Sequence, residues 1–448
     1  MKRIDINVFI FRRDLRVEDN LALDSLIRMS KDVKILPIFI FNQKQINPKY
    51  NEYYSKKCCE FMIQCLKDLN LKLKDSLCYF FGSDIDVLKQ LLGYFEINNL
   101  AFNLDYTPYA RNRDSMLIEF CNKNKINLIT QEDYTLLPMD HIKPYKMFTP
   151  FYRNMMGQIT EIPSPLKDYD IKNIKHMILD NHSKIKHMLI KDISKYHDYE
   201  DIITIKGGRE HALTIFDKIK KGLSKDTGLS PYMKFGCVSV RECFDLVQKR
   251  YGNTHDLIRQ LIWREFYAKI VYNNERVLQG KPLKDKYDDI KWDDTYFDAW
   301  KQGKTGFPIV DAAMRQLKKE GFLNNRLRMI VASFAVKDLM IDWRMCERYY
   351  ATQAIDYDPC SNNGGWQSTA GVGTDTAQPY FRILNPWIQS LKYDKDCVYI
   401  KKWISELNSV SPEDIHRWFE VCHKYDNKYP KTIVDHKVQV KKFERLFK

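Results

Sequence analysis

Short apolar runs alternate with amphipathic stretches along residues 1–130, and this alternation predicts a parallel sheet covered by helices. The runs that have the length and composition of strands are residues 6–12, 33–41, 77–83, 100–106 and 126–132. Between them, residues 53–73, 85–96 and 109–124 repeat apolar positions with a helical period. We therefore expect an α/β N-terminal domain with a Rossmann-like, five-stranded parallel sheet. The first strand is not followed by GxGxxG, so no dinucleotide site of the Rossmann type is predicted there.

The pattern changes after residue 130. Residues 131–200 are polar and contain Pro138, Pro144, Pro150, Pro163 and Pro165, which is typical of a long interdomain connection. From residue 201 to residue 448 a helical period dominates, and it predicts an all-α C-terminal domain. A chain of 448 residues is also long for one core, which favours two domains.

The chain is strongly basic, with 72 Lys and Arg against 58 Asp and Glu, a net charge of +14 and a pI near 9.0. This charge favours an anionic partner, and nucleic acid is the leading candidate. A second explanation stays open, because Lys is abundant together with Asn and Ile, as an AT-rich genome would produce.

The cysteines and the hydropathy indicate the compartment. Eleven Cys without CxxC spacing argue against a zinc finger and fit a reducing intracellular compartment, the cytoplasm or the nucleus. No run of 18 apolar residues predicts a membrane span, and no metal ligands are proposed. The N-terminal run MKRIDINVFIFRRDLR regains charge within a few residues, so it is interpreted as a first strand rather than a signal peptide.

One stretch, residues 326–387, concentrates the candidate chemistry. It places Asp356 and Asp358 in an apolar, helix-like region where a buried charge needs a partner, and Arg328 upstream can pair with Asp356. Asn362 and Asn363 precede Gly364 and Gly365, where the backbone can approach a flat ligand closely. The stretch therefore predicts a dry pocket for a polar heteroaromatic ring and points to a redox cofactor.

These residues resemble the flavin-binding core of the DNA photolyases and cryptochromes, and in particular of the class I cyclobutane-dimer photolyases. The resemblance runs from FRRDLRVEDN at 11–20 to YPKTIVDHK at 429–437. It implies FAD held in the helical domain, an electron donated by light-excited reduced FAD, and repair of cyclobutane pyrimidine dimers in UV-damaged DNA. We expect the protein to act as a monomer.

The resemblance assigns the cofactor-binding residues. Arg328 and Asp356 correspond to the ion pair beside the isoalloxazine ring, and Asp358 to the carboxylate that accepts hydrogen bonds from the flavin pyrimidine edge. Asn362 corresponds to the residue that faces flavin N5, where an amide, unlike a carboxylic acid, does not readily deliver a proton. Thr227 and Ser230 lie in the loop that the family places against the FAD diphosphate.

The resemblance also implies an electron relay made of tryptophans. Trp366 corresponds to the indole nearest the flavin, Trp343 to the middle one and Trp292 to the one nearest solvent. Considered singly, each of them is also explained as an ordinary core tryptophan.

The lesion pocket requires aromatic walls, polar edges and cations for phosphates, because a base must leave the stack before chemistry on it. Gln260 and Trp263 are three residues apart and share a helical face. The other residues that the resemblance assigns to the substrate are Asn325, Arg326, Met329 and Arg382, with the two arginines as phosphate contacts.

Departures from the family pattern keep other functions open. Gln260 stands where dimer photolyases carry Glu, and Ser368 where they carry a Trp against the lesion; both favour a cryptochrome-type blue-light receptor without repair. Asn362 and the basic charge oppose that alternative. Gln260 also resembles the (6-4) photolyases, but Asn325 and Met329 occupy the positions of their catalytic histidines. A reader of single-stranded DNA or RNA is a further alternative.

The N-terminal domain of this family often holds a second, light-harvesting chromophore. Ala110 stands where folate-binding members carry Glu, which leaves a deazaflavin, a flavin or an empty site ahead of folate. The charges of FRRDLRVEDN lie where a cleft ligand would bind, but they are equally well explained as structural.

Overall fold

The structure is a computed structural model that describes residues 3–30, 33–166, 185–196, 203–223, 225–374, 383–426 and 428–446. It divides into two compact units. The first unit comprises Met1–Glu275 together with Asp356–Cys360, and the second comprises Arg276–Ile355 and Ser361–Lys448. The predicted division into residues 1–130, 131–200 and 201–448 stays a prediction, because compact units need not coincide with functional domains.

A five-stranded parallel sheet forms the centre of the first unit, in the order β3-β2-β1-β4-β5. Its strands are β1 (Ile4–Phe11), β2 (Ile35–Phe41), β3 (Cys78–Phe81), β4 (Phe95–Asn103) and β5 (Asn127–Gln131). The last six residues of β1 and all of β2 are buried, as expected for parallel strands covered on both faces. The predicted fold class, with its five-stranded parallel sheet, is confirmed.

Helices connect the strands and continue after them in the first unit. The α-helices of its described residues are α1 (Leu21–Ser30), α2 (Gln43–Ile46), α3 (Lys56–Lys72), α4 (Asp84–Leu92), α5 (Pro108–Asn124), α6 (Phe148–Gly157), α7 (Arg209–Lys220), α8 (Ser230–Lys234), α9 (Val240–Tyr251) and α10 (Asp256–Asn273). Local sequence fixes several of their starts. Ser55 caps α3 by accepting from the Cys58 amide, and Ser239 and Glu242 form a capping box at α9.

The described residues of the second unit are helical. Its α-helices are α11 (Phe297–Gln302), α12 (Pro308–Glu320), α13 (Asn325–Ser333), α14 (Trp343–Gln353), α15 (Pro359–Ala370), α16 (Pro386–Tyr393), α17 (Val398–Trp403), α18 (Pro412–His416), α19 (Trp418–Val421) and α20 (His436–Leu446). A π-helical turn, Phe334–Asp338, follows α13 directly. Within the described ranges, no helix is both long enough and apolar enough to cross a bilayer.

The prediction was least accurate around β4. A helix over 85–96 and a strand over 100–106 were expected, whereas α4 ends at Leu92 and β4 already starts at Phe95. The first half of β4 alternates buried and exposed residues, and this short alternation also fits the end of an amphipathic helix.

Candidate functional site

Asp356–Cys360 carries both carboxylates that were predicted to contact the cofactor, and it packs with the first unit. The hydroxyl of Ser230, the first residue of α8, donates to Oδ2 of the buried Asp356 at 2.6 Å. The structure thus brings together two predicted cofactor residues that are 126 positions apart. This bond uses the hydroxyl hydrogen that a phosphate contact at Ser230 would need. Thr227 is half-buried in the loop before α8.

Asp358 forms an ion pair with Arg13, a residue that was not predicted to belong to the site. Nη1 of Arg13 donates to Oδ2 of Asp358 at 3.2 Å, and both side chains belong to the first unit. Arg13 lies just after β1, in the FRRDLRVEDN run. The sequence offered one signal for Arg13: it is the second of two adjacent arginines at the carboxyl end of a predicted strand.

Two other charges of that run, Arg16 and Asp19, belong to a buried network with Asp133 and Arg241. Nη2 of Arg16 lies 2.5 Å from Asp133, and Nη2 of Arg241 lies 2.6 Å from Asp133 and 3.0 Å from Asp19. All four side chains are buried. Burial alone would raise the pKa of Asp133, but Arg16 and Arg241 hold it below its ordinary value. These contacts support the structural interpretation of the charges.

Helix α10 presents the predicted lesion residues of the first unit. Gln260 is exposed on it and Trp263 is half-buried. The indole of Trp263 stacks on Phe148 of α6, with ring centroids 3.6 Å apart and planes 4° from parallel. The guanidinium of Arg259 lies over two aromatic rings of α6, 5.2 Å from Phe148 and 5.0 Å from Tyr152. Phe148 was missed because it lies in the segment interpreted as a connection.

The second unit holds Arg328 and Asn362. Nε of Arg328 donates to the carbonyl of Leu323 at 2.8 Å, and its guanidinium lies 5.5 Å from the ring of Tyr350. The side-chain amide of Asn362 donates to the carbonyl of Glu347 at 3.3 Å. Because the amide nitrogen makes that bond, the amide oxygen of Asn362 keeps its capacity to accept. The ion pair predicted between Arg328 and Asp356 joins two different units and stays a prediction.

Asn363, next to Asn362, anchors the same region. Its amide donates to the carbonyl of Val277 at 3.0 Å and to the carboxylate of Glu347 at 3.3 Å. Gln367, one turn later, donates to Asn363 at 3.0 Å. These bonds hold the middle of α15, next to Asn362, against Val277 and Glu347.

The three predicted relay tryptophans differ in burial. Trp343 and Trp366 are buried, and Trp292 is half-buried. The greater exposure of Trp292 is consistent with its predicted place nearest solvent, and the relay with its order stays a prediction. Trp366 also has an indole neighbour that the sequence analysis did not name: the buried Trp300, at 6.1 Å between ring centroids.

Three of the remaining predicted substrate residues share the first turns of α13. Asn325 approaches Met329 (Nδ2 to Sδ 3.9 Å), and the guanidinium of Arg326 lies over the ring of Tyr393 at 5.0 Å. Met329 is 40% exposed, a high fraction for a methionine. Arg382 lies outside the described residues.

Comparison with known proteins identifies the family. Residues 7–167 match the DNA photolyase family model, and residues 257–448 match the model of the FAD binding domain of DNA photolyase. The chain belongs to the DNA photolyase family, and its cofactor is FAD.

Individual relatives are similar over nearly the whole chain. A deoxyribodipyrimidine photo-lyase of Buchnera aphidicola subsp. Baizongia pistaciae is 35% identical, over 99% of this chain and 98% of the relative. The deoxyribodipyrimidine photo-lyase of Escherichia coli K12 is 31% identical, over 95% of each chain.

Two solved structures have the same fold as this chain. The archaeal photolyase of Sulfolobus tokodaii, described with two FAD molecules, is 32% identical with a TM-score of 0.81 and covers 99% of both chains. A cryptochrome of Synechocystis sp. PCC6803 has a TM-score of 0.87 over the full length of both chains at 23% identity, a level at which the likeness shows the fold alone.

Proposed function

We propose that this chain repairs cyclobutane pyrimidine dimers in UV-damaged DNA, using light and reduced FAD. One observation supports a flipped pyrimidine lesion as the substrate, and the relatives named deoxyribodipyrimidine photo-lyase favour the cyclobutane dimer. Trp263 is half-buried, is stacked on one face by Phe148, and shares a helix with the exposed amide of Gln260. An aromatic wall beside a hydrogen-bonding amide is what a flipped pair of pyrimidines requires.

The side chains of the predicted cofactor site have the chemistry that FAD requires. Asp358 supplies a fixed carboxylate that can accept from the N–H of a pyrimidine edge, and Asn362 supplies an amide oxygen. Arg328 supplies a positive charge, which favours a flavin that carries extra electrons. When bound and reduced, FAD would supply the light-excited electron that opens the cyclobutane ring, and the electron returns to it afterwards.

The chain's own residues would bind and orient the DNA. Trp263 would stack on the flipped dimer, and Gln260 would donate a hydrogen bond to a pyrimidine carbonyl. Asn325 and Met329 would line the pocket, and Arg326 and Arg382 would contact phosphates. We further propose that the chain acts as a monomer. We also propose a reducing compartment, since none of the eleven cysteines forms a disulfide.

The test is a repair assay. The reduced protein is incubated with oligonucleotides that contain either a cyclobutane dimer or a (6-4) lesion, in blue light and in the dark, and recovery of intact thymine is measured. We expect light-dependent recovery from the cyclobutane dimer only. Recovery from the (6-4) lesion alone would replace the substrate assignment. Recovery from neither lesion by a flavin-loaded protein would favour a photoreceptor.

A matched pair of variants links the assay to the proposed pocket. Trp263→Ala removes the aromatic wall, and we expect a roughly 10-fold or greater rise in the dissociation constant for dimer-containing DNA. Trp418→Phe changes a buried tryptophan of the second unit that is not assigned to DNA, and we expect no change in that constant.

For the antenna we propose a second flavin. The supporting observation is the Sulfolobus tokodaii photolyase, whose description names two FAD molecules and a novel light-harvesting cofactor. Extraction of the purified protein and measurement of FAD per chain tests this. Two flavins per chain are expected, and one flavin together with a folate or a deazaflavin would contradict it.

A further inference from the structure

Arg13 is held on three sides within the first unit. Its Nη2 donates to Oδ1 of Asp105 at 2.8 Å, and its Nε lies 2.7 Å from the second oxygen of the same carboxylate. The guanidinium also lies over two aromatic rings, 4.7 Å from the centroid of Tyr106 and 4.5 Å from that of Tyr134. Its remaining nitrogen, Nη1, donates to Asp358.

This arrangement leaves the guanidinium little freedom. A planar group that donates to one carboxylate oxygen, lies close to the other and packs over two aromatic rings has few favourable orientations. Nη1 therefore occupies a fixed place, and Asp358 is bound to it from a segment 345 residues further along the chain. Arg13 and both carboxylates are largely buried, with side-chain exposures of 11% to 14%, so solvent screens these contacts little.

Arg13 is a cation shared by two carboxylates, Asp105 and Asp358. Burial would lower the pKa of Arg13, but Asp105, Tyr106 and Asp358 together raise it well above its ordinary value. Burial would likewise raise the pKa of Asp105, yet Arg13 and Arg113 hold it below its ordinary value. Removal of Arg13 would leave two neighbouring carboxylates, Asp105 and Asp358, without this shared cation.

We propose that Arg13 is a positioning residue of the flavin site, which fixes the carboxylate of Asp358 so that it can accept from the pyrimidine edge of the isoalloxazine ring. The inference rests on the proposed function, because it takes Asp358 as a flavin contact. One oxygen of Asp358 binds Arg13, so the orientation of the other is determined.

Two measurable effects follow. Arg13→Gln should raise the dissociation constant for FAD about 10-fold or more, as expected for loss of a largely buried, charge-assisted hydrogen bond. It should also lower the reduction potential of bound flavin, because the carboxylate charge left uncompensated disfavours added electrons. Arg13→Lys keeps the charge but not the planar fork, so it should restore the potential more fully than the affinity.

The decisive experiment is a double-mutant cycle of Arg13→Gln and Asp358→Asn. FAD affinity is measured by titration of the apoprotein, and the potential by spectroelectrochemistry. If Arg13 acts through Asp358, Arg13→Gln will have little further effect in the Asp358→Asn background. Additive effects would overturn the inference, and so would an unchanged affinity and potential in either single variant.

Two further variants separate positioning from folding. In Arg13→Gln/Asp105→Asn the uncompensated charge of Asp105 is removed, which should recover stability but leave FAD binding weak. Full recovery of FAD binding there would show a purely structural role and overturn the inference. Arg28→Gln removes an exposed arginine of the same unit and is expected to change neither FAD readout. Failure of the wild-type chain to bind FAD would instead overturn the proposed function.

Discussion

Phe148 and Trp263 stack face to face, with their ring centroids 3.6 Å apart and their planes 4° from parallel. This arrangement covers one face of the indole with protein. A flipped pyrimidine must therefore use the other face or the edge of Trp263. Phe148 thus determines how the proposed lesion wall is presented, although it was not predicted to belong to the site.

We predict that Phe148→Leu weakens the binding of dimer-containing DNA. Leucine keeps an apolar side chain of similar volume but cannot stack, so the indole loses its fixed orientation. Because an aromatic pair contributes about 0.5–1.5 kcal/mol beyond its buried area, the dissociation constant should rise about three- to tenfold. Fluorescence anisotropy with a labelled, dimer-containing oligonucleotide measures this change.

The control for this prediction is Phe151→Leu. Phe151 is a fully buried residue of the same helix, and its ring contacts Phe266 rather than Trp263. The variant Phe151→Leu should lower thermal stability at least as much as Phe148→Leu, without a comparable loss of affinity for dimer-containing DNA. Equal losses of affinity in both variants would mean that helix α6 as a whole, and not the stacked pair, governs DNA binding.

Light-driven reduction of the bound flavin tests the relay. We predict that Trp343→Phe slows photoreduction strongly, because phenylalanine is much harder to oxidise than the buried indole it replaces. Repair by chemically prereduced protein should be unchanged, since repair returns its electron to the flavin. Bleaching of the oxidised flavin absorbance under blue light gives the rate.

Trp418→Phe is the matched control for the relay. Trp418 is equally buried, but its indole donates to the carbonyl of Pro430 and it was not assigned to the relay. Its photoreduction rate should equal that of the wild type. If Trp343→Phe photoreduces at the wild-type rate, the predicted relay is wrong, and Trp300 beside Trp366 becomes the candidate for the next carrier.

Local sequence was sufficient for most of the sheet but not for the contacts around it. Buried parallel strands are continuous apolar runs, so β1 and β2 could be predicted closely. The start of β4 could not be predicted closely, because buried and exposed residues alternate over its first half.

The contacts of the candidate site were harder to predict from local sequence than the strands of the sheet. Resemblance to a family assigned Asp358 and Trp263, but neither Arg13 nor Phe148. Arg13 meets Asp358 across 345 residues, and no local pattern encodes such a pair. Phe148 is one of several aromatic residues in a proline-containing segment, and its importance follows only from the ring that packs on it.

The buried network around Asp133 should be essential for stability. Asp133→Asn leaves Arg16 and Arg241 buried with a weakened partner, and breaking such a pair costs roughly 3–5 kcal/mol. Urea denaturation followed by circular dichroism measures the loss. Asp24→Asn removes a surface pair with Arg28 and should cost less than about 1 kcal/mol. Similar small costs for both variants would contradict the structural interpretation of FRRDLRVEDN.

Glu265 should make the stability of the protein depend on pH. It is fully buried and accepts from the Leu136 amide and from Arg264, each at 2.9 Å. Burial outweighs these contacts and raises the pKa of Glu265 to about 7 from its ordinary value of 4.5. Because the folded state favours the protonated acid, this contribution is complete below pH 4.5 and is lost as the pH rises through 7.

Glu265→Gln keeps the shape of this side chain and removes its titration. The unfolding free energy of the variant relative to wild type should therefore increase between pH 5 and pH 8, by at most about 3 kcal/mol. Thermal unfolding of both proteins across that range measures the difference. Glu119→Gln, on the exposed face of α5, should show no such trend. A difference between Glu265→Gln and wild type that is constant with pH would mean that Glu265 stays ionised throughout, held by Arg264.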